Sequence, residues 1–403
     1  MERMRKMIAM KSLDQKLADI HRDPSGSKAF ILADAKDADM AFGITAPGTK
    51  RPLNPERVAK SEIPWKSLEE YRAQIRAVIR QELVDIMLCS ANNIEQLAMK
   101  EKLFANSPIT PAARANDTTD IWVVRGADYI QQASRPFRSA TLDHIKCGTL
   151  DCDHDGPFPG ADLGLYSVTF VNCIERDTRT LQAFKEFREE AERKKFRYFL
   201  EVFNPNVDSG VPPDKLGHFI NDHIIRTLAG VTGAGRPLFL KIVYNGPRAM
   251  EELAAYDPHL IVGILGGGAG TTYDAFKLLA EAQKYGARVA LYGRKINHAE
   301  HPLAFIEFLR RIVEKEITPE EAVAAYHGVL QTLGIPPLRS LADDMQLTDA
   351  AVSYGGGGST KVISHAPGKP SAKPSAATPT ADLTASRARV ETQLATLRKR
   401  LGS

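Results

Sequence analysis

Residues 237–246 read PLFLKIVYNG, residues 260–270 read LIVGILGGGAG and residues 287–296 read ARVALYGRKI. Each stretch is a short apolar run that leads into a glycine, and a helical pattern follows each of the first two. Apolar runs of this length are typical of strands that are buried on both faces, as in a parallel sheet covered by helices. The three stretches therefore predict consecutive β/α units.

The same alternation extends over residues 27–335. Apolar runs occur at residues 29–33, 84–89, 121–124, 163–173, 198–203, 238–243, 260–265 and 289–292. Helical patterns lie between most of them, at residues 67–81, 94–104, 178–195, 250–256 and 272–285. Eight strands in roughly three hundred residues fit a (β/α)8 TIM barrel, the fold class that we predict, with an open doubly wound sheet as the alternative. The irregular stretch 105–162 predicts a long insertion in the third unit.

The composition excludes several broad classes of protein. Of the 403 residues, 43% are hydrophobic and 25% are charged, which is typical of a globular protein rather than a fibrous or wholly disordered one. The four cysteines are too few for a disulfide scaffold and indicate a reducing compartment. No apolar run reaches the length of a membrane span, and the basic N-terminus lacks the apolar core of a secretory signal. We therefore expect a soluble, cytoplasmic protein.

The C-terminal segment differs in composition from the rest of the chain. Residues 361–403 contain eight Lys or Arg and two acids, a net charge of +6, which leaves −2 for the remainder of a chain whose total is +4. The body is therefore not a basic surface of the kind that binds nucleic acids. The spacing of leucines near the C-terminus indicates an amphipathic helix, with a solvated basic tail as the other interpretation. The predicted parts are an N-terminal helical extension (1–26), the barrel (27–350), a Gly/Pro/Ala/Ser-rich flexible linker (351–380) and a basic helical tail (381–403).

One lysine interrupts the apolar run of the sixth predicted strand. Lys241 lies between Leu240 and Ile242, so burial of this strand would remove most of the hydration of its ammonium group. Burial disfavours the charged amine, and a Schiff-base nucleophile requires the uncharged amine. The alternative is a structural lysine that reaches the rim or pairs with a carboxylate.

Glycine-rich turns follow the seventh and eighth predicted strands. The first spans residues 266–270, and the second begins with Gly293 and Arg294. Glycine lets backbone N–H groups approach an anion closely, and these two loops are the recurrent phosphate site of (β/α)8 barrels. Arg294 adds a group that can bind phosphate through two hydrogen bonds. Together the turns predict a phosphate site, and the alternative is that they are merely tight connections.

These segments resemble those of the class I aldolases of the archaeal and bacterial fructose-bisphosphate aldolase type, within the group that includes deoxyribose-phosphate and tagatose-bisphosphate aldolases. The similar segments are residues 240–246 (LKIVYNG, the Schiff-base segment), 264–268 (ILGGG, the phosphate loop) and 287–296 (the Gly-Arg-Asn-Ile end of strand 8). His301-Pro302 lies where the family often has an acid-Pro pair, and Phe30–Asp34 lies where it has a strand that ends in Asp-His-Gly. The similarity covers most of residues 28–315, and its specific motifs lie within 237–303.

The resemblance implies a metal-independent carbon–carbon lyase of carbohydrate metabolism that needs no cofactor. Lys241 would attack the carbonyl of a phosphorylated ketose to form an iminium, which accepts electrons while the neighbouring C–C bond breaks. Asp34 would orient a hydroxyl or relay a proton. The phosphate would be held by Gly267, Gly268, Gly293 and Arg294. The alternative function is a phosphate-binding barrel without aldolase activity, either an isomerase or a binding or assembly protein.

The sequence departs from the family at the proton-transfer residue. In the family a tyrosine at the end of strand 5 is the general acid/base, and Asn204 occupies that position here. Because asparagine cannot transfer protons near neutral pH, either another side chain at a strand end does so or the aldol chemistry is altered or lost. The candidates are Glu201, Asp37, Asp39, Tyr166 and Tyr244. If the first strand runs far enough, alternation places Asp37 and Asp39 on one of its faces. Lys36 and Asp34 then share the other face.

The remaining expectations concern metals and partners. Cys147, Cys152 and His154 are potential soft ligands, but their spacing lacks a CxxC pair, so we interpret them as ordinary loop residues and predict no metal site. We expect a phosphorylated small-molecule substrate, no nucleic-acid or membrane partner and a homo-oligomer. A protein partner for the C-terminal tail remains open.

Overall fold

The computed structural model describes residues 10–50, 63–268 and 270–348. The predicted linker (351–380) and helical tail (381–403) lie outside the described residues. The first part of the predicted N-terminal extension also lies outside them. Those interpretations therefore remain predictions.

Eight parallel strands form a closed barrel. They are β1 (Ile31–Lys36), β2 (Ile86–Cys89), β3 (Thr110–Arg114), β6 (Leu163–Thr169), β7 (Arg197–Phe203), β8 (Leu240–Ile242), β9 (Gly263–Leu265) and β10 (Val289–Tyr292). Each strand pairs in parallel with the next in this order, and β1 pairs with β10 to close the barrel. The predicted (β/α)8 barrel is thus confirmed, and the open sheet is excluded.

The third strand is not where the apolar pattern placed it. Residues 121–124 predicted this strand, but the barrel uses Thr110–Arg114, and Ile121 ends a 3₁₀ turn instead. The apolar pattern did not predict β3, because Pro111 is unusual within a sheet and the central residues are small alanines rather than large apolar residues. The insertion, residues 115–162, therefore follows the C-terminal end of β3. It contains a separate antiparallel pair, β4 (Asp117–Thr118) and β5 (Pro136–Phe137).

Helices surround the barrel. Those that precede or lie within the first four units are α1 (Ser12–Arg22), α2 (Asp39–Phe42), α3 (Leu68–Gln81), α4 (Ala91–Ile94, continued as a π-helical segment over Glu95–Lys100), α5 (Leu142–Cys147) and α6 (Ile174–Arg193). The others are α7 (Leu216–Ala229), α8 (Pro247–Tyr256), α9 (Thr272–Lys284), α10 (Arg294–His298), α11 (Pro302–Val313), α12 (Pro319–Thr332) and α13 (Leu341–Asp344). Capping boxes at Ser67, Thr271 and Thr318 fix where three of the longer helices begin, because each satisfies two backbone groups that the first turn leaves unpaired. Within the described residues, none of the helices combines the length and the apolar character that crossing a membrane requires.

Helix α1 covers the N-terminal end of the barrel. Its buried residues Leu13, Leu17 and Ile20 belong to the same apolar cluster as the side chains of the barrel interior. Lys16 Nζ lies 2.7 Å from Oδ1 of Asp85, just before β2. The opposite end of the barrel, where the strands finish, is thereby left for function.

The strands separate two apolar cores. The interior core includes Ala33, Phe199 and Phe239, whereas Leu32 and Leu200 belong to the core between the strands and the helices. Because successive side chains of a strand point to opposite faces, the position of a residue in this alternation decides which core it faces.

The insertion also contains a disulfide bond. Cys147, at the end of α5, is bonded to Cys152, which the low cysteine count did not predict. Cys89 is buried and free, and Cys173 is exposed and free.

Candidate active site

Four polar side chains project into the barrel from adjacent strands. Ser167 on β6 is opposite Glu201 on β7, and Glu201 is opposite Lys241 on β8 in the strand register. Each of these residues lies two positions after an apolar residue of the interior core. Because residues two apart on a strand share a face, each side chain points toward the barrel axis. Arg114, at the end of β3, likewise lies two positions after Ala112 of the interior core and points the same way. We call Arg114, Ser167, Glu201 and Lys241 the interior polar tier.

Glu201 is the centre of the interior polar tier. Its Oε1 lies 2.5 Å from Lys241 Nζ, and its Oε2 accepts a 2.6 Å hydrogen bond from Ser167 Oγ. Arg114 Nη2 lies 3.5 Å from the same Oε2. The Lys241 side chain is 8% exposed and that of Glu201 is 2% exposed. The predicted strand lysine is therefore held inside the barrel by a carboxylate and does not reach out to the rim.

A second carboxylate completes the charge balance of the tier. Asp37, just beyond β1, accepts a 2.5 Å hydrogen bond from Arg114 Nε, and Arg114 Nη1 donates to Ser167 Oγ at 3.0 Å. Burial acts to lower the pKa of Arg114, but the charges of Asp37 and Glu201 outweigh it and raise the pKa above its usual value. Two cations and two carboxylates thus compensate one another in a water-poor site, as buried charges require.

Asp34 does not reach the interior polar tier. It lies on the face of β1 that also carries Leu32, a residue of the core between strands and helices. Lys36 lies on this face too, and its Nζ is 3.2 Å from Asp34 Oδ2. Lys36 Nζ also bonds to the side-chain oxygen of Asn297. Burial raises the pKa of Asp34 to about 6, against the opposing charge of Lys36. The alternation predicted for this strand holds, and it puts the expected strand-1 acid on the helix side, while Asp37 takes the inward position.

Asn204 and the other predicted strand-end candidates have different surroundings. Asn204 forms a reciprocal amide pair with Asn245, at 2.8 and 3.1 Å. Tyr166 stacks on Phe187 of α6, with ring centroids 4.3 Å apart, and Tyr244 lies in the outer core. The carboxylate of Asp39 accepts hydrogen bonds from Ser90 and Asn93 beyond β2. Of the five candidates for proton transfer, only Glu201 contacts Lys241.

The two glycine turns meet at the mouth of the barrel. A Cβ at Gly268 would lie 2.7 Å from Nε of Arg294, and a Cβ at Gly293 would lie 2.8 Å from the carbonyl oxygen of Ala35. Gly267 has a φ of +58°, in the left-handed region that favours glycine. The glycines are therefore needed where two loops pack closely, and they bring backbone groups next to the Arg294 guanidinium.

Arg294 lies between solvent and the interior polar tier. Desolvation lowers the pKa of the Arg294 guanidinium below its usual value, and the negative charge of Glu201 offsets only part of this lowering. Because the side chain is exposed and arginine remains protonated in proteins, it offers a permanent positive charge at the mouth. The neighbouring Lys295 is instead used for structure: its Nζ donates to the carbonyls of Gly270 and Thr271 at 2.7 and 2.8 Å, and burial and then Arg339 lower its pKa to about 8.

The insertion after β3 borders the same mouth. Thr169 lies two residues after Ser167 on the same face of β6, and its hydroxyl donates a 2.9 Å hydrogen bond to the Asp120 carboxylate of the insertion. The backbone N–H of Val123 donates to the carbonyl of Ala41, beyond β1. The insertion therefore connects the ends of β6 and β1 across one side of the site.

Sequence reasoning found Lys241 and Glu201 but missed Arg114 and Ser167. Alternation within residues 163–169 was a usable signal for Ser167, because Leu163 and Leu165 share its face. Arg114 had no such signal, since β3 itself was not recognised. In the described part of the chain, the one group of three metal-ligating side chains at close range, Asp143, Cys152 and His154, belongs to the insertion and not to this tier.

Comparison with known proteins gives the fold but no family. No protein-family model matches the sequence, and no curated protein matches it. A fructose-bisphosphate aldolase from Slackia heliotrinireducens DSM 20476 is similar in structure, with a TM-score of 0.53 and 12% identity over 79% of this chain and 91% of that one. An archaeal fructose 1,6-bisphosphate aldolase has a TM-score of 0.50 and 12% identity over 74% of this chain and 98% of that one.

A further archaeal fructose-1,6-bisphosphate aldolase was solved with its catalytic Lys covalently bound to the carbinolamine intermediate of the substrate. It has a TM-score of 0.50 and 12% identity over 74% of this chain and 99% of that one. At this identity the likeness establishes the shared (β/α)8 barrel alone, because one barrel fold supports many unrelated chemistries.

Proposed function

We propose that this protein is a class I aldolase-type lyase that makes or breaks a carbon–carbon bond in a phosphorylated ketose through an imine on Lys241. The observation that carries the proposal is the 2.5 Å contact between Lys241 Nζ and Glu201 Oε1 inside the barrel. A buried amine beside a proton acceptor is what Schiff-base catalysis requires. The structural aldolase neighbours support the same class at the level of the fold.

Substrate binding is assigned to the two glycine turns. We assign the anion to the backbone of Gly267, Gly268 and Gly293. Open space surrounds the Cβ position of Gly267, and Arg294 supplies a positive charge next to Gly268. Phosphate bound here would direct the rest of the substrate toward the interior polar tier. Holding the carbonyl near the amine converts a bimolecular encounter into an effectively unimolecular step.

The chemical steps follow from the groups of the tier. Glu201 accepts a proton from the Lys241 ammonium, and the free amine adds to the substrate carbonyl to give a carbinolamine. Loss of water gives an iminium. Removal of the proton from the hydroxyl beyond the scissile bond then lets that C–C bond break, and its electron pair moves toward the iminium nitrogen to form an enamine. Protonation and hydrolysis of the enamine regenerate Lys241.

We assign the proton transfers to Glu201, in place of the tyrosine that the resembled family uses. Ser167 and Arg114 hold the carboxylate in place through Oε2, which leaves Oε1 to face Lys241. Asn204 lies just beyond the end of β7, where its amide is paired with Asn245, so we assign it no proton transfer. Asp34 has no part in this mechanism because it lies on the outer face of β1.

The second candidate function is a phosphate-binding barrel without aldolase chemistry. It is favoured by the ion pair itself, since a lysine fully engaged by Glu201 could serve only to hold the barrel together. The replacement of the tyrosine by Asn204 points in the same direction. The two functions share the phosphate site and differ in whether Lys241 becomes covalently modified.

Borohydride trapping separates the two functions. The full chain is incubated with dihydroxyacetone phosphate and borohydride, which reduces an iminium to a stable secondary amine, and the intact mass is measured. We expect one adduct per chain in the wild type and none in Lys241→Arg, which retains the positive charge beside Glu201. Binding of the phosphorylated ligand without an adduct would establish the non-aldolase function.

A further inference from the structure

The insertion contains a second group of reactive side chains, outside the interior polar tier. One ligand atom each of Asp143, Cys152 and His154 lies within 4.8 Å of the others. Cys147 adds a second sulfur, because it is bonded to Cys152. Two sulfurs, an imidazole and a carboxylate are the donor types of tetrahedral zinc sites.

Local structure explains why these four residues meet. Asp143 and Cys147 are separated by four residues on α5, so they share one face of the helix. Gly148, with a φ of +79°, ends the helix and reverses the chain. The following loop returns Cys152 and His154 to the same face. The sequence alone could not show this, because Asp143 is not part of the Cys/His spacing.

Two side-chain atoms of this group have no hydrogen-bond partner within the described residues. His154 Nε2 lies 3.0 Å from Asp143 Oδ1, yet that buried oxygen accepts no hydrogen bond, and the buried Nδ1 of His154 has no hydrogen-bond partner either within the described residues. Asp143 Oδ2 is engaged by Lys194 Nζ at 2.8 Å. This leaves Asp143 Oδ1 and one imidazole nitrogen of His154 for a metal ion.

We propose that reduction of the Cys147–Cys152 disulfide creates a Zn²⁺ site formed by Asp143, Cys147, Cys152 and His154. A cellular dithiol supplies two electrons and two protons: the S–S bond breaks, both cysteines become thiols, and the dithiol is oxidised to its own disulfide. Zn²⁺ then replaces the two thiol protons, which are released to solvent. The disulfide and the zinc site exclude each other, because a bonded sulfur pair provides no thiolate ligand.

Charge and geometry both fit Zn²⁺. Two thiolates and one carboxylate around Zn²⁺ leave one net negative charge, which the ammonium of Lys194 compensates through the other oxygen of Asp143. Zn–S and Zn–N bonds of about 2.3 and 2.1 Å place the ligand atoms of a tetrahedron less than about 4 Å apart. The ligand atoms of Asp143, Cys152 and His154, within 4.8 Å of one another, would need only side-chain rotation, and Cys147 would join them after the disulfide is broken.

Zinc titration of the full chain tests this site. The protein is reduced with a phosphine, freed of metal and titrated with Zn²⁺ against a chromophoric chelator, and thiols are counted in parallel. We expect one Zn²⁺ per reduced chain, and binding at least about 100-fold weaker in the oxidised protein and in Cys152→Ser or His154→Ala. Co²⁺ in place of Zn²⁺ should give the thiolate charge-transfer absorption of a tetrahedral site in the reduced wild type alone.

Matched controls lie on the same chain. Cys173→Ser removes a free cysteine elsewhere, and His144→Ala removes an exposed histidine of α5, so both should bind zinc like the wild type. Thermal unfolding of each variant shows whether it is folded, and His154→Ala retains the test if Cys152→Ser does not fold. The proposal is overturned if the reduced wild type binds Zn²⁺ no more tightly than Cys152→Ser and His154→Ala do. It is also overturned if the disulfide resists reduction in the folded protein.

Discussion

Two buried lysines lie near the ends of barrel strands, and their surroundings differ. Lys241 faces the barrel axis and contacts Glu201, with 8% of its side chain exposed. Lys36 faces the helices, contacts Asp34 and Asn297, and has no exposed surface. Both pair with an acid, but only Lys241 belongs to the interior polar tier. The face of the strand, and not burial or charge pairing, separates a candidate nucleophile from a structural ion pair.

The two clusters also predict opposite responses to mutation. The interior polar tier together with Asp37 contains two cations and two carboxylates, so the loss of one member leaves others to compensate. The Lys36 cluster has one cation and one carboxylate in direct contact, so the loss of either leaves a buried charge unpaired. Mutations at the tier should change chemistry most, and mutations at the Lys36 cluster should change stability most.

The largest effect is expected at Glu201. Glu201→Gln keeps the shape and the contact with Ser167 but cannot accept the proton of Lys241, so the rate of imine formation with dihydroxyacetone phosphate should fall by about 10²- to 10⁴-fold. Single-turnover borohydride trapping at pH 7 measures this rate. An unchanged rate would remove Glu201 from the mechanism and leave the 2.5 Å contact as a structural ion pair.

The next effect concerns Lys36. Lys36→Met leaves Asp34 buried without its cation, and the free energy of unfolding should fall by about 3–5 kcal/mol. The yield of borohydride adduct on the folded protein should stay at the wild-type level. Chemical denaturation and intact mass together test both halves, and a variant that is stable but loses the adduct would reverse the assignment of the two lysines.

Asp34 should impose a characteristic pH dependence on stability. Its pKa rises from 3.8 to about 6 on folding, so the folded state binds this proton more tightly than the unfolded state does. The contribution is therefore fully favourable below pH 4 and is lost as the pH rises through 6. Relative to Asp34→Asn, the unfolding free energy of the wild type should drop by about 3 kcal/mol between pH 3 and pH 7. Parallel curves for the two proteins would contradict the buried position of this carboxyl group.

The smallest effect is expected at the phosphate site. Arg294→Ala removes a charged hydrogen-bond donor of about 1.5–3 kcal/mol, which corresponds to a roughly ten- to hundredfold weaker affinity for dihydroxyacetone phosphate. Affinity for unphosphorylated dihydroxyacetone should be unaffected. Calorimetric titration of both ligands distinguishes a phosphate contact from a general disturbance of the mouth, which would weaken both.

Most of the barrel was predictable from sequence because large apolar runs mark seven of its eight strands. The third strand was not, since β3 consists of small residues, a proline and an arginine whose charge is neutralised by side chains distant in sequence, Asp37 and Glu201 among them. Such a strand becomes recognisable only when its partners in space are known. The irregular stretch predicted at residues 105–162 includes the insertion that follows β3 but also β3 itself, and the contacts of the insertion were not predicted.

The candidate site was predictable in part for the same reason. Lys241 and the glycine turns have local signals, namely a charge within an apolar run and glycines after strands. The placement of Asp34 on the outer face of β1 and of Asp37 toward the tier was not predictable in this way, because the resemblance aligns residues without fixing which face of β1 each occupies. Alternation contained that information once the strand was known to run to Lys36.

The most direct test is to locate the borohydride adduct within the chain. After trapping with dihydroxyacetone phosphate, proteolysis and tandem mass spectrometry identify which lysine carries the reduced ligand. We predict modification of the peptide that contains Lys241 and an unmodified peptide for Lys36. An adduct on Lys36 or on a surface lysine, with Lys241 unmodified, would contradict the assignment of the barrel interior as the active site.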